Sequence, residues 1–285
     1  MVRIGVDASH QREALRCFRQ EFPDDNDLYE ICDPWKSSYE QSSIELSPGA
    51  KIVCTGGDGS RRQSLFSGAV THERGLTVAH ATRPGANIEV GSSADFVIIG
   101  KCLEAHGCLQ RQNGEKLTAD LALLELDPQY CSVDNIVHWP AADDKTLKIK
   151  IYKGQKLPAN TDVMILDQDG KFKRGNILRD HTTDTKLPGD GLHNVLAIGV
   201  IEEQNEDSVT REGDSGALVM SRSSSENEVV YVHGIVIGVY KETSVQGKRT
   251  LTVANSLWDV IHVLCTNDHT QLQSHISSVD DIDFI

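Results

Sequence analysis

The chain has 285 residues, of which 39% are hydrophobic and 25% are charged, and these proportions are ordinary for a soluble globular protein. The formal net charge of −14 disfavours a nucleic-acid partner, because phosphate binding needs a positive surface. No stretch reaches the roughly 18 apolar residues of a membrane-spanning helix, so we expect no membrane partner.

The N-terminal part of the chain differs from the remainder in its pattern of apolar and polar residues. Residues 8–22 carry apolar side chains at helical spacing after a serine, which predicts an amphipathic helix. A polar connection with two prolines and several acidic residues follows. We interpret residues 1–45 as a helical N-terminal extension. Its first residues mix charges and lack the apolar segment of a secretory signal.

From about Ser47 onward, short β-rich runs alternate with Gly, Asp, Asn and Pro. This spacing is typical of an antiparallel sandwich or a pair of barrels, and it disfavours alternating βαβ units. The Asp169-Gly170 pair between two such runs predicts a hairpin turn. Residues 256–264 have the i, i+3, i+4 spacing of a C-terminal helix, and residues 266–285 form a polar, acidic tail.

The segment Gly-Asp-Ser-Gly-Ala at residues 213–217 has the composition of a nucleophile turn. A nucleophilic serine needs an exposed hydroxyl on a tight turn, and flanking glycines leave room for a tetrahedral intermediate. The apolar run that follows would hold the turn rigidly. The same residues also occur in ordinary β-turns, so the segment alone leaves both interpretations open.

His80 follows a β-branched run and is flanked by Ala79 and Ala81. A general base needs a ring nitrogen within hydrogen-bond reach of its partner, and small neighbours leave that access free. A histidine with no role at a strand end is the alternative.

Asp120 stands at the head of an apolar strand, where a carboxylate is costly to bury unless a group such as a histidine N–H pairs with it. A solvated aspartate at a strand start is the alternative. Asp95 also precedes an apolar run and is the rival to Asp120.

Together the three segments resemble the chymotrypsin/trypsin-like serine peptidases. Thr-Val-Ala-His-Ala resembles the family's histidine segment, Asp-Leu-Ala-Leu-Leu-Glu-Leu its aspartate strand, and Gly-Asp-Ser-Gly-Ala its nucleophile turn. The resemblance covers roughly residues 50–265. It implies His80, Asp120 and Ser215 as the catalytic triad, with the amides of Gly213 and Ser215 as the oxyanion hole.

The fold that this resemblance implies is all-β, with two six-stranded antiparallel β-barrels and a closing C-terminal helix. We therefore expect a peptidase domain over residues 46–265, with the boundary between the barrels near residues 140–155. The implied activity is that of a serine endopeptidase, with a protein or peptide substrate and no metal or other cofactor. A catalytically inactive binding module of the same fold is the alternative, and so is an esterase or a regulatory protease restricted to one partner. Residues 1–45 or the acidic tail could dock such a partner.

Departures from the family pattern indicate an intracellular member. Ser67 and Ala81 stand where extracellular relatives carry a bridged pair of cysteines, and Arg211 stands where a cysteine often precedes the nucleophile turn. The chain has seven cysteines, an odd number with no Cys-X-X-Cys pair, so we expect free thiols and no zinc site.

A second departure concerns activation. Many relatives are activated when a new N-terminal Ile-Val pairs with the aspartate before the nucleophile, here Asp214. Lys51-Ile52-Val53 resembles such a cleavage site, but we interpret it as part of a strand and expect activity without cleavage. The sequence suggests no other partner for Asp214.

The substrate pocket departs from the trypsin pattern as well. Val209, followed by Thr210, occupies the place of the aspartate that recognises Lys or Arg in trypsin-like relatives, so cleavage after basic residues is disfavoured. We expect a small or apolar pocket lined by Val209, Ile237 and Val239. If Lys248 and Arg249 lie near the pocket, they favour an acidic substrate residue instead. The alternative is that both lie in an exposed hairpin around Gly247.

Overall fold

The computed structural model describes residues 2–5, 29–32, 44–92, 95–140, 145–153, 157–179, 195–200, 208–223, 226, 228–244, 247–266 and 284. The chain divides into two compact units, Met1–Ser43 and Ile44–Ile285. In the first unit, strand β1 (Val2–Gly5) pairs in parallel with β2 (Tyr29–Cys32). The helix expected over residues 8–22 lies outside the described residues, as does almost all of the acidic tail.

The second unit begins with a curled, antiparallel seven-stranded sheet in the order β5-β4-β8-β9-β10-β7-β6. Side chains alternate along its strands: in β4, Ile52 and Cys54 are buried whereas Lys51 is exposed, as expected for a strand with one face in the core. A short strand before this sheet, β3 (Ile44–Leu46), pairs with β11 (Cys131–Val133). The seven strands are β4 (Lys51–Thr55), β5 (Arg61–Leu65), β6 (Gly68–Thr71), β7 (Arg74–Thr77), β8 (Asn87–Ser92), β9 (Asp95–Gln110) and β10 (Lys116–Leu126).

The following sheet has eight strands, and six of them close into a barrel. The sheet order is β12-β13-β18-β17-β14-β15-β16-β19, and a further pairing of β18 with β19 completes the ring. The strands are β12 (Ile136–Trp139), β13 (Lys145–Ile151), β14 (Asp162–Leu166), β15 (Phe172–Arg179), β16 (Val195–Val200), β17 (Leu218–Arg222), β18 (Val229–Ser244) and β19 (Gly247–Ser256). The expected hairpin at Asp169-Gly170 is present, because these residues connect β14 to β15.

Helix α1 (Leu257–Thr266) follows β19 directly and closes the fold. Its apolar side chains at helical spacing, Leu257, Val260, Ile261 and Leu264, are buried in a core that also receives side chains from both sheets. The C-terminal helix and the all-β, double-barrel class are therefore confirmed, with the second barrel closed by six strands and the first sheet forming a half-barrel. Within the described part of the chain, no helix combines the length and the apolar character needed to cross a membrane.

Candidate active site

His80 lies on a single turn of 3-10 helix, Ala79–Ala81, just after β7 ends at Thr77. Both flanking alanines are buried, whereas 47% of the His80 side chain is exposed. The small residues therefore anchor the turn in the core while the imidazole projects outward. Arg62 Nη1 donates a hydrogen bond to the His80 carbonyl oxygen at 2.5 Å and ties the turn to β5.

Asp120 lies in β10 where the pairing with β9 shifts register between Thr118 and Leu121. The irregularity gives Asp120 a φ of +35°, a region that Asp tolerates better than most residues. Bulges of this kind redirect a side chain out of the regular strand alternation. Here the shift turns the Asp120 carboxylate toward the histidine turn.

Two contacts join His80 to Asp120. The imidazole Nδ1 lies 2.7 Å from Asp120 Oδ2, and the His80 backbone N–H donates to Asp120 Oδ1 at 2.8 Å. A carboxylate is an acceptor only, so Nδ1 carries the hydrogen and the Nε2 lone pair is left available as a base. Asp95, the rival candidate, begins β9 opposite Ser92.

Ser215 lies in a tight turn that enters β17. Gly213 and Gly216 both have a φ of +96°, a conformation that favours glycine. A β-carbon at Gly216 would also clash with the carbonyl oxygen of Leu65. The two glycines of the sequence motif are therefore required by the backbone of this turn.

The serine turn, which belongs to the second barrel, is fastened to strands of the first sheet. The Ser215 carbonyl oxygen accepts hydrogen bonds from the Leu65 N–H at 2.9 Å and from the Ser64 hydroxyl at 3.1 Å. Ser64 Oγ in turn lies 2.8 Å from Thr77 Oγ1, on the strand that leads to His80. These contacts connect the serine turn to β5 and β7, the strands beside the histidine turn.

The Gly213 and Ser215 amides have the properties of an anion site. Within the residues that the structure describes, neither N–H donates a hydrogen bond. Both residues are only partly buried. Unpaired, preorganised amides next to a serine hydroxyl are suited to stabilising a developing oxyanion.

Asp214 is 1% exposed, and its carboxylate is paired with two backbone amides. Oδ1 accepts a hydrogen bond from the Gln168 N–H at 2.9 Å, and Oδ2 accepts one from the Arg211 N–H at 2.8 Å. Sequence analysis did not find these partners, because a backbone donor has no side-chain signature and Gln168 lies 46 positions away.

The residues expected to line the substrate pocket occupy different environments. Val209 is 2% exposed and packs into the core of the second barrel. The Thr210 hydroxyl lies 2.8 Å from that of Thr252, and the Thr210 N–H donates to the same Thr252 oxygen at 3.1 Å. Sequence analysis did not identify Thr252, which carries no motif around it.

The remaining pocket candidates lie on the β18–β19 hairpin. Ile237 is partly buried against the core, and Val239 is 40% exposed. Lys248 and Arg249 belong to β19, where they pair with Thr243 and Glu242 near the end of the hairpin; their side chains are outside the description.

Comparisons with known proteins give similarity in structure but not in sequence. No protein-family model matches the chain, and no curated protein matches it in sequence. Protease A of Thermobifida fusca superposes with a TM-score of 0.51 at 12% identity, over 77% of this chain and 95% of that chain. A serine protease specific for glutamic acid gives a TM-score of 0.51 at 15% identity, over 76% and 96% of the two chains. The chain therefore has the chymotrypsin-like fold of these serine proteases, as the sequence resemblance implied.

Proposed function

We propose that the chain is a serine endopeptidase that cleaves a protein or peptide substrate through an acyl-enzyme on Ser215. The observation that carries the proposal is the two-point pairing of Asp120 with His80, through the imidazole Nδ1 and the backbone N–H. A solvated aspartate or a histidine without a role does not account for this pairing. Strand β5 links the two parts of the site, because Arg62 donates to the His80 carbonyl and the Leu65 N–H donates to the Ser215 carbonyl, which supports a serine turn close to the pair.

In this mechanism, Ser215 Oγ attacks the carbonyl carbon of the scissile peptide bond and transfers its proton to His80 Nε2. Asp120 fixes the tautomer and stabilises the imidazolium that forms. The Gly213 and Ser215 N–H groups stabilise the oxyanion of the tetrahedral intermediate. His80 then gives the proton to the leaving amine, and the acyl-enzyme remains. A water molecule, activated by His80, hydrolyses that ester and restores the serine.

The intracellular location and the docking of a regulatory partner, both expected from the sequence, remain predictions. An intracellular location agrees with the free thiols of all five cysteines whose side chains the structure describes: Cys54, Cys102, Cys108, Cys131 and Cys265. Docking of a regulatory partner on residues 1–45 or on the acidic tail concerns segments that are largely outside the described residues.

Labelling with a fluorophosphonate probe, followed by peptide mapping, tests the proposed function. The probe forms a covalent bond with an activated serine, so we expect one modified residue, Ser215. Ser215→Ala and His80→Ala should abolish the labelling, whereas Ser132→Ala, at an exposed position in β11, should not change it. A folded wild-type protein that takes up no label would favour the inactive binding module instead.

A further inference from the structure

The turn between β14 and β15, residues 167–171, is a rigid element of the second barrel. The Asp167 N–H donates to the Lys171 carbonyl at 2.8 Å, and the Gly170 N–H donates to the Asp167 carbonyl at 3.0 Å. Asp167 is 4% exposed, and its Oδ1 accepts the N–H groups of Asp169 and Lys171. This is a type I turn closed by Gly170 at a φ of +73°. We name residues 167–171 the turn segment.

The turn segment contacts the nucleophile loop, residues 211–214, on both sides of Gly213. The Gln168 N–H donates to Asp214 Oδ1 at 2.9 Å, and Gln168 Nε2 donates to the Glu212 carbonyl at 2.8 Å. A β-carbon at Gly213 would lie 2.6 Å from Gln168 Oε1, so the side-chain amide packs against the Gly213 backbone. Gln168 thus contacts three consecutive residues of the loop.

We propose that Gln168 is a positioning residue that keeps the Gly213 amide directed at the oxyanion. This proposal rests on the proposed function. Asp214 is buried, so its carboxylate needs both amide donors to remain in place. If the Gln168 N–H were lost, the carboxylate would be pulled toward solvent, and the adjoining Gly213 peptide would rotate with it. Gln168 does not itself touch the reacting atoms.

The same contact explains how the site is formed in the uncleaved chain. Residues 51–53 lie in β4, and Ile52 is 0% exposed between β5 and β8, so this segment is a structural strand. The turn segment supplies the partner of Asp214 from within the second barrel. No new amino terminus is then needed to order the oxyanion hole.

Among the contacts of the turn segment, the Gln168 N–H bond is expected to be the most important. Asp169 also forms an ion pair with Arg211, but the two side chains are 44% and 58% exposed. Exposed pairs are screened by water and contribute little. The N–H bond, by contrast, is made to a buried carboxylate, where a lost hydrogen bond is costly.

Gln168→Pro is the decisive variant, because proline is favoured at the second position of a type I turn and removes the N–H group. Gln168→Ala keeps the N–H and removes only the side-chain amide. The chain offers a matched control in the β9–β10 turn, where Gly114 donates to the Arg111 carbonyl and Arg111 donates to the Glu115 carbonyl. Gln112 there occupies the equivalent position, so Gln112→Pro makes the same substitution away from the nucleophile loop.

The full chain is labelled with a rhodamine fluorophosphonate at several probe concentrations, well below the thermal midpoint of each variant. This separates the limiting labelling rate from the half-saturating probe concentration. For Gln168→Pro we expect the limiting labelling rate to fall roughly 10- to 100-fold, which is the effect of losing one hydrogen bond to a charged group. The half-saturating probe concentration should not change. The limiting labelling rate of Gln168→Ala should fall roughly two- to fivefold, and Gln112→Pro should label at the wild-type rate.

A Gln168→Pro protein that folds and labels at the wild-type rate would overturn the positioning role, while labelling of wild-type Ser215 would keep the proposed function intact. Failure of the wild type to label would instead refute the proposed function. If Gln168→Pro shows no cooperative thermal transition, Asp214→Ala decides, since it removes the acceptor of the Gln168 N–H and leaves the hydrogen bonds within the turn segment in place. In that variant, a slower limiting labelling rate at an unchanged half-saturating probe concentration supports the proposal, and a wild-type labelling rate overturns it.

Discussion

The Ser67 hydroxyl donates a hydrogen bond to the Gly216 carbonyl oxygen at 2.7 Å, across 149 positions of sequence. Ser67 is 0% exposed, and its partner belongs to the turn that carries Ser215. The resemblance to the chymotrypsin-like family predicts that Ser67 occupies the place of a bridged cysteine in its extracellular members. In this chain the same position instead supplies a noncovalent tether between the first sheet and the nucleophile turn.

Removing this tether should destabilise the protein. Ser67→Ala leaves the Gly216 carbonyl without its hydroxyl donor in a buried setting, so we expect the free energy of unfolding to fall by about 1–3 kcal/mol. Urea denaturation measures the change. Ser132→Ala, at an exposed serine, should change stability by less than about 0.5 kcal/mol. Equal midpoints for the two variants would show that the tether contributes nothing.

Substitutions at the proposed triad should remove activity without removing the fold. We expect Ser215→Ala and His80→Ala to lower kcat on dye-labelled casein by roughly 10⁴- to 10⁶-fold. Asp120→Asn should cost about 10⁴-fold, because an amide can hold the imidazole in the wrong tautomer. Circular dichroism should show wild-type secondary structure for all three. Undiminished turnover by Ser215→Ala would refute the nucleophile assignment.

The stability of the protein should decrease on mild acidification because of His233. This residue is 6% exposed, and burial lowers its pKa from 6.5 to about 4. The unfolded chain therefore binds a proton between these values that the folded protein does not. Stability should fall as the pH drops below 6.5, by about 2 kcal/mol at pH 5.

Denaturation of wild type and His233→Gln at pH 7 and pH 5 tests this origin of the pH dependence. The substitution should remove about 2 kcal/mol of the pH-dependent loss, whatever it does to stability at pH 7. His138→Gln, which replaces an exposed histidine of β12, should keep the wild-type loss. An identical pH dependence in His233→Gln and wild type would assign the loss to other groups.

The seven cysteines should all titrate as free thiols in the denatured, unreduced protein. In the native protein their reactivity should differ: burial raises the pKa of Cys54 and of Cys265 to about 11, whereas Cys108 is exposed. Since the thiolate is the reactive form, iodoacetamide should modify Cys108 well before the other two. Peptide mass spectrometry over a time course measures the order. A stable count of five or fewer thiols would contradict the absence of disulfides.

Cleavage after Lys or Arg should not dominate. Val209 packs into the core, and the family resemblance predicts that it stands in place of the aspartate that recognises basic residues, so a basic substrate side chain would lack a counter-charge there. A peptide library read by mass spectrometry gives the preference. Dominant cleavage after basic residues would contradict this argument, and cleavage after small or apolar residues is the expected result.

If acidic residues precede the cleaved bond, Lys248 and Arg249 become the specificity residues. Arg249→Gln should then reduce cleavage after Asp and Glu, whereas Lys241→Gln, at an exposed position of the same hairpin, should not. Equal cleavage preferences for the two variants would exclude recognition of acidic substrate residues by Lys248 and Arg249.

The sequence was sufficient to predict those structural elements that depend only on residues close together in the chain. The glycines around Ser215, the small residues beside His80 and the short β-rich runs each leave a pattern within a few positions, because backbone conformation and burial select residue types directly. The C-terminal helix was predictable for the same reason. The chain order of the His, Asp and Ser segments added a resemblance that pointed to the correct fold.

Only the tertiary structure decided which groups meet. The pairing of Asp214 with the Gln168 amide, of Ser67 with the Gly216 carbonyl, and of Thr210 with Thr252 each joins residues at least 42 positions apart. In the first two, one partner is a backbone group, which every residue type carries. Such contacts leave no pattern in one sequence, because they depend on how distant strands and loops come together in the folded chain and not on the identity of neighbouring residues.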